Sequence, residues 1–311
     1  MKSGSFATIL REVGRALVAL APYRDDIILV GGIVPVLYRR LPTYRQPEHP
    51  ALGTTEADLS IPSRLPVIDG KSLGDLLFEA GFVVYEAPGM KVGEPGKQFF
   101  QDASHGADRP APTYLEFLTP LRGRARDGFV EPQRGIRAPS LRYLDLLSHE
   151  PITVDVQTVS ELGVSVPCPV RVPHPSMYVL QKVLARDSGR SPSKQPKDLA
   201  YAYDVSVLTQ PVWKDLSPVV ARARAESDEW KTWIDRALRN LDALFETETS
   251  DGTVDVARIY RDAMRSGAPS ENAIATTMRR FISALALVKV AAPTDLANRA
   301  LEVKDNEDVD E

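Results

Sequence analysis

The segment Thr54-Thr55-Glu56-Ala57-Asp58-Leu59 sets two carboxylates two residues apart in a run with strand character. Side chains alternate between the faces of an extended chain, so Glu56 and Asp58 share one face while Ala57 and Leu59 turn into the core. Two carboxylates side by side repel each other, and a divalent cation between them relieves that repulsion. A third acid, Glu116, sits inside Tyr114-Leu115-Glu116-Phe117-Leu118. An unpaired carboxylate is costly to bury in such a run, and the cost falls away on an edge face or beside a metal. Asp155, inside Thr153-Val154-Asp155-Val156-Gln157, competes for the same role; Glu116 is favoured because it lies nearer the acidic pair in chain order.

A phosphate-binding element precedes the acids. Ile27-Ile28-Leu29-Val30 reads as a short buried strand that Gly31-Gly32 ends, and apolar residues at 33, 34, 37, 38 and 41 follow at helical spacing. A helix over 32–40 that opens on two glycines offers free N–H groups and close approach to an anion, typically a phosphate. Further on, Met177, Leu180, Val183 and Leu184 make one helix face with Lys182 beside it. Leu199, Tyr203 and Val207 make the next, with Lys197-Asp198 in its first turn, where the helix dipole stabilises an acid. Arg122, Arg124 and Arg126 form a basic loop that either contacts phosphates or is merely solvated.

Strand, Gly-Gly, helix and then acid-x-acid on the next strand resembles the DNA polymerase β-like nucleotidyltransferase superfamily. The Thr-x-acid-apolar-acid form is similar to its AbiEii and MenT group of abortive-infection and toxin nucleotidyltransferases. Two features depart from the pattern: the gap from Gly32 to Glu56 is longer than in the minimal enzymes, and Glu56 stands where Asp is commoner. The run Glu116-Phe117-Leu118-Thr119-Pro120-Leu121-Arg122-Gly123 matches the third-carboxylate segment of the same group. A separate match follows in Val172-Pro173-His174-Pro175, Lys182, Arg186, Arg190, Lys194 and Lys197-Asp198.

The resemblance implies an α+β fold, a mixed sheet flanked by helices with a C-terminal helical bundle. It implies that Glu56, Asp58 and Glu116 hold one or two Mg²⁺ (or Mn²⁺), that Gly31 and Gly32 meet the phosphates of an NTP, and that Lys182 touches the triphosphate. Lys197 would join the nucleotide site, and Asp198 would hold a neighbouring basic residue or the nucleotide. It also implies transfer of NMP to an RNA acceptor, a tRNA end above all, and an antitoxin protein as partner. Two other readings stay open: the same fold acting on a small molecule or protein, and a non-catalytic binding homologue.

The elements that must position these residues follow from periodicity. The first helix is read over 4–20, the strands over 27–30, 56–61, 82–85, 97–101 and 113–120, and a helix over 72–80 ends at Gly81. Residues 140–149 read as a helix, 152–157 and 168–172 as a strand pair, and 212–247 as helix broken near Ser227. Helices over 253–265, 270–288 and 293–301 complete the chain, the middle ones opened by Ser250-Asp251 and Ser270-Glu271. Residues 1–172 would then be the transferase core, 173–301 a helical domain and 302–311 a disordered acidic tail. Trp213, Trp230 and Trp233 read as packing aromatics, with a base clamp the rarer alternative.

Composition sets the outer bounds. In 311 residues, 43% hydrophobic and 26% charged, the chain has the make-up of an ordinary globular protein, and no run is apolar enough to span a bilayer. The interrupted apolar pattern of residues 1–23 favours an amphipathic surface helix over a signal peptide. One cysteine, Cys168, suits a cytoplasmic protein. The net charge of −4 is concentrated in the last ten residues, so the rest is near neutral and argues neither for nor against nucleic acid. Four scattered histidines give no zinc-ligand spacing, and there is no Gly-x-x-x-x-Gly-Lys loop.

Overall fold

Short apolar runs punctuated by glycine and proline give this chain its strands, and longer runs of helical period give it its second half. The computed structural model describes residues 3–47, 49, 51–54, 56–87, 97–105, 114–121, 128–186, 194–264 and 266–286, with the main chain alone for 3–6 and 105. The fold is α+β. A mixed nine-stranded sheet has the order β3-β4-β5-β2-β1-β9-β8, with β7 beside the end of β5 and β6 beyond it. The strands are β1 (Ile28–Val30), β2 (Glu56–Ser60), β3 (Phe82–Glu86), β4 (Gln98–Asp102), β5 (Tyr114–Pro120), β6 (Phe129–Gln133), β7 (Ile136–Leu141), β8 (Ile152–Asp155) and β9 (Pro169–Val172).

The centre of the sheet is β5-β2-β1-β9. β1 is buried throughout, as its unbroken apolar sequence requires. It pairs antiparallel with β2, Val30 facing Asp58, and parallel with β9. Helix α1 (Ser3–Ala19) lays Ile9, Leu10, Val13 and Leu17 into the core, and α3 (Leu73–Glu79) is opened by a reciprocal Ser72–Asp75 capping box. Gly81 ends α3 at φ +80°, in the left-handed region that glycine enters without strain. Helices α4 (Pro175–Arg186) and α5 (Gln195–Leu208) pack on each other and share one apolar core with the strands.

The remaining helices are α6 (Leu216–Glu226), α7 (Asp228–Phe245), α8 (Asp251–Ala263) and α9 (Glu271–Ala286). Ser227 breaks α6 from α7 in extended conformation and caps α7 by accepting from the Trp230 N–H. Trp213, Trp230 and Trp233 each meet another ring edge-on (Phe281, His149 and Tyr143), as packing aromatics do. The apolar spacing read over 293–301 and the acidic segment 302–311 lie outside the described residues.

Two sequence expectations are corrected, and one hairpin was not foreseen. The helix read over 32–40 is a 3₁₀ turn, Gly31–Ile33, followed by the five-residue α2 (Val34–Tyr38). Gly31 adopts φ +76°, which bends the chain before any α-turn can close. The axial dipole expected there has little helix behind it. The helix read over 140–149 is the end of β7 and a 3₁₀ turn, Leu144–Ser148, because Tyr143 takes a left-handed conformation at φ +63°. The β6–β7 hairpin that precedes it, turning at Gly135 with φ +82°, was not legible in a segment interrupted by Pro132 and Pro139.

His174 lies at the junction between β9 and α4, with a ring nitrogen 2.7 Å from Ser176 Oγ. Burial pushes its pKa down to about 4, helped by His149 and Arg222 against the opposing pull of Glu150. The unfolded chain therefore takes up a proton near pH 6.5 while the folded chain does not, so stability is lost as pH falls from about 6.5 to about 4. Between pH 7 and pH 5 this costs about 2 kcal/mol. Urea unfolding of the wild type and His174→Asn at both pH values checks it: the variant is expected to lose about 2 kcal/mol less than wild type, and equal losses contradict the assignment.

Candidate active site

The acids come together because of one strand register. β2 and β5 run parallel with Asp58 opposite Glu116 and Glu56 opposite Tyr114. Neighbouring strands are about 4.8 Å apart, and matched residues of a parallel pair put their side chains on the same face. The alternation that aligns Glu56 with Asp58 thus places Glu116 beside them, and oxygens of all three carboxylates lie within 4.8 Å of one another. Ala57, Leu59, Leu115 and Phe117 fill the core from the other face. Asp155 is elsewhere: on β8, at the sheet's edge, its Oδ1 accepts from the N–H groups of Gln157 and Cys168, both at 3.0 Å. It closes the turn after its own strand.

The environment treats the acids differently. Burial pushes the Glu116 carboxyl up, Glu56 adds to this, and Lys97 Nζ at 3.2 Å from Oε1 only partly offsets it. Glu56 is also raised by burial, but Lys194 Nζ at 3.3 Å and the Tyr114 hydroxyl, which donates to it at 2.9 Å, outweigh that and hold its pKa below the usual range. Lys97 and Lys194 are themselves exposed, at 51% and 50% of their side chains, so they form a basic rim around a sunken acidic floor.

The two glycines bring protein groups onto the turn. A Cβ on Gly31 would lie 2.1 Å from Asp58 Oδ2, so glycine is what lets that carboxylate pack against the backbone. A Cβ on Gly32 would lie 2.5 Å from the Tyr201 hydroxyl and 3.0 Å from Thr54 Oγ1. Tyr178 donates to Gly31 O at 2.9 Å, tying the turn to α4, and Tyr201 donates to Gly53 O at 3.2 Å, tying the segment before β2 to α5. Lys182 Nζ sits 3.0 Å from Asp198 Oδ1, both residues being buried, with the Tyr178 and Tyr201 ring centroids 5.4 and 5.7 Å away. Lys197 lies over the other side of the Tyr201 region, 5.6 Å from its centroid; burial lowers its pKa, and Glu56 pulls the other way.

The structure thus gathers Glu56, Asp58 and Glu116 in one cluster, next to Gly31 and Gly32, with the Lys182–Asp198 pair behind the turn and Lys197 beside it. Arg122, Arg124, Arg126 and Arg190 lie outside the described residues. Lys97, Tyr114, Tyr178 and Tyr201 were given no part in the site by sequence reasoning. Tyr114 stands two residues before Glu116 on a strand, Tyr178 four before Lys182 and Tyr201 four after Lys197 on helices, so periodicity carried a signal for all three. Lys97 follows a stretch rich in glycine and proline and carried none.

Three converging carboxylates form a hard oxygen donor set, which suits Mg²⁺ or Mn²⁺ and not a soft metal. A divalent cation held by such a set would supply charge stabilisation at a phosphate.

Residues 9–225 match a protein-family model described as nucleotidyltransferase. Among solved structures, an antigenic nucleotidyltransferase-like protein from Paracoccidioides brasiliensis is similar at 17% identity and a TM-score of 0.40, over 82% of this chain and 94% of that one. No curated protein matches the chain.

Gly31→Ala is expected to push the Asp58 carboxylate out of the cluster and to strain a left-handed position by about 1–2 kcal/mol. Titration calorimetry with Mn²⁺ should show affinity lowered by roughly tenfold or more, a loss of about 1.4 kcal/mol, in a protein that still unfolds cooperatively. Unchanged Mn²⁺ affinity would show that the Gly31–Asp58 contact does not set the carboxylate's position.

Proposed function

The chain belongs to this nucleotidyltransferase family, and on that premise we propose that it transfers a nucleoside monophosphate from an NTP to an RNA acceptor with the help of Mg²⁺. The observation that carries the reading is the three-carboxylate cluster within 4.8 Å, set beside a glycine turn and rimmed by lysines. Glu56, Asp58 and Glu116 would hold the metal, which when bound stabilises the charge on attacking and leaving oxygens of an in-line displacement. Everything else is positioning by the chain itself.

The triphosphate approaches the Gly31–Gly32 turn, where backbone N–H groups and Lys194 and Lys197 face it. Lys182, fixed by Asp198 and two tyrosine rings, supplies a buried positive charge behind the turn as pyrophosphate departs. The acceptor oxygen bonds to the α-phosphorus, the bond to pyrophosphate breaks, and the acceptor's proton leaves to a carboxylate of the cluster. Tyr114 holds Glu56 in place by its hydrogen bond and takes no part in the transfer.

The group-level reading is a toxin-type transferase of the AbiEii and MenT kind, acting on tRNA and neutralised by an antitoxin protein. Its support is the Thr-x-Glu-x-Asp strand together with the Lys182 and Lys197-Asp198 segment. We assign residues 1–172 to the transferase core and 173–301 to a helical domain that completes the site through α4 and α5. No helix among the described residues is long and apolar enough to cross a membrane.

Incubation with each α-labelled NTP, Mg²⁺ and total tRNA tests the proposal. Label is expected in RNA with one NTP preferred, and Glu56→Gln, Asp58→Asn and Glu116→Gln are each expected to lower the rate by roughly a hundredfold or more while the proteins stay folded. Label on protein or on a small molecule would replace the acceptor, and transfer undiminished in all three variants would remove the acids from the mechanism.

A further inference from the structure

A second concavity lies away from the acidic cluster, at the other end of α5. It encloses about 510 Å³, a volume within the range of ligand sites. Arg45, His49, Tyr203, Gln210, Trp213 and Arg280 contribute to its lining, and among the described residues that line it none is an aspartate or glutamate. Two arginines and a histidine on the walls of one cavity favour an anion.

The cavity's rim is built rather than incidental. The Arg45 N–H donates to Leu208 O at 2.7 Å and its guanidinium to Gln210 Oε1 at 2.6 Å. Arg39 donates to His49 O at 2.7 Å and to the buried Asp204 at 2.6 Å, so the segment carrying His49 is anchored to α5. Trp213 is half-buried, and its indole N–H is spent on Ser206 O at 2.9 Å. What it offers a ligand is its ring, the surface on which bases stack. Arg280, on α9, is exposed at the opposite wall.

Position gives the ligand its size. α5 starts beside Lys194, whose ammonium is 3.3 Å from Glu56, and lines the cavity with Tyr203 and Val207. At 1.5 Å per residue, Lys194 and Val207 are about 20 Å apart. A mononucleotide at the acids does not reach that far, whereas a strand of several nucleotides does.

We propose that this cavity holds an upstream nucleotide of a single-stranded RNA whose end lies at the acidic cluster, its phosphate met by Arg45 and Arg280 and its base by Trp213. This rests on the transferase reading for the identity of the acceptor, but the binding itself needs neither metal nor NTP. The recognised chemistry is a nucleoside monophosphate unit, and a free nucleotide and an RNA strand are the two sources to separate.

Fluorescence anisotropy of a labelled ten-nucleotide single-stranded RNA, with full-length protein in EDTA, tests the site. Arg45→Ala and Arg280→Ala are each expected to weaken binding roughly tenfold and to lower the salt slope by about one. NTP binding in Mn²⁺ should be unchanged in both. Glu56→Gln should do the reverse, losing Mn²⁺-dependent NTP binding and keeping the RNA; this separates a failure here from a failure of the transferase reading. Unlabelled AMP should compete only at concentrations at least roughly a hundredfold above the RNA. RNA affinity unaltered in both arginine variants, AMP binding as tightly as the strand, or an acidic peptide of equal charge competing as well as RNA would each overturn the proposal.

Discussion

Three carboxylates held within 4.8 Å of one another are a state that the chain must impose against electrostatics. At an effective dielectric constant of about 20, each such pair repels by on the order of 3 kcal/mol when ionised. The sheet supplies the constraint. β2 and β5 are interior strands with apolar undersides, and a register slip of one residue would turn Ala57 and Leu59 outward as it turned the acids inward. The burial of four apolar side chains therefore fixes the positions of three charged ones.

Around this floor the charges are layered by burial. Lys97 and Lys194 lean over the acids from the exposed rim and keep flexible stems in water. Lys182 and Asp198 pair deep behind the glycine turn, between tyrosine rings. Breaking such a buried pair leaves an uncompensated charge, so α4 and α5 are locked in their relative position by it. The same two helices hold the glycine turn and the segment before β2, through the Tyr178 and Tyr201 hydroxyls respectively. Residues of the helical half thus lie beside the carboxylates of the sheet half, and the match to the nucleotidyltransferase family, over residues 9–225, spans both.

Much of this was legible in the sequence because it rests on local periodicity. The two-residue spacing of Glu56 and Asp58, the apolar surroundings of Glu116, and the glycines after a β-branched strand all report which way side chains point. The pairing of β2 with β5 is different in kind: about sixty residues of chain separate the partners, and only the odd placement of Glu116 hinted at it. The approach of the Asp58 carboxylate to Gly31 is a contact that no sequence pattern encodes. The segment 140–149 was misread as a helix because its apolar residues fit helical spacing and left-handed Tyr143 gives no compositional sign.

The central claim is that the cluster of Glu56, Asp58 and Glu116 is a divalent-metal site beside a nucleotide. Diffraction from crystals grown with Mn²⁺ and a non-hydrolysable NTP analogue, recorded at the manganese absorption edge, tests it most directly. The account predicts an anomalous peak about 2.0–2.3 Å from oxygens of all three carboxylates, with the analogue's phosphates between that peak and the Gly31–Gly32 turn. A peak elsewhere, or analogue density far from the turn with none at the acids, would contradict it.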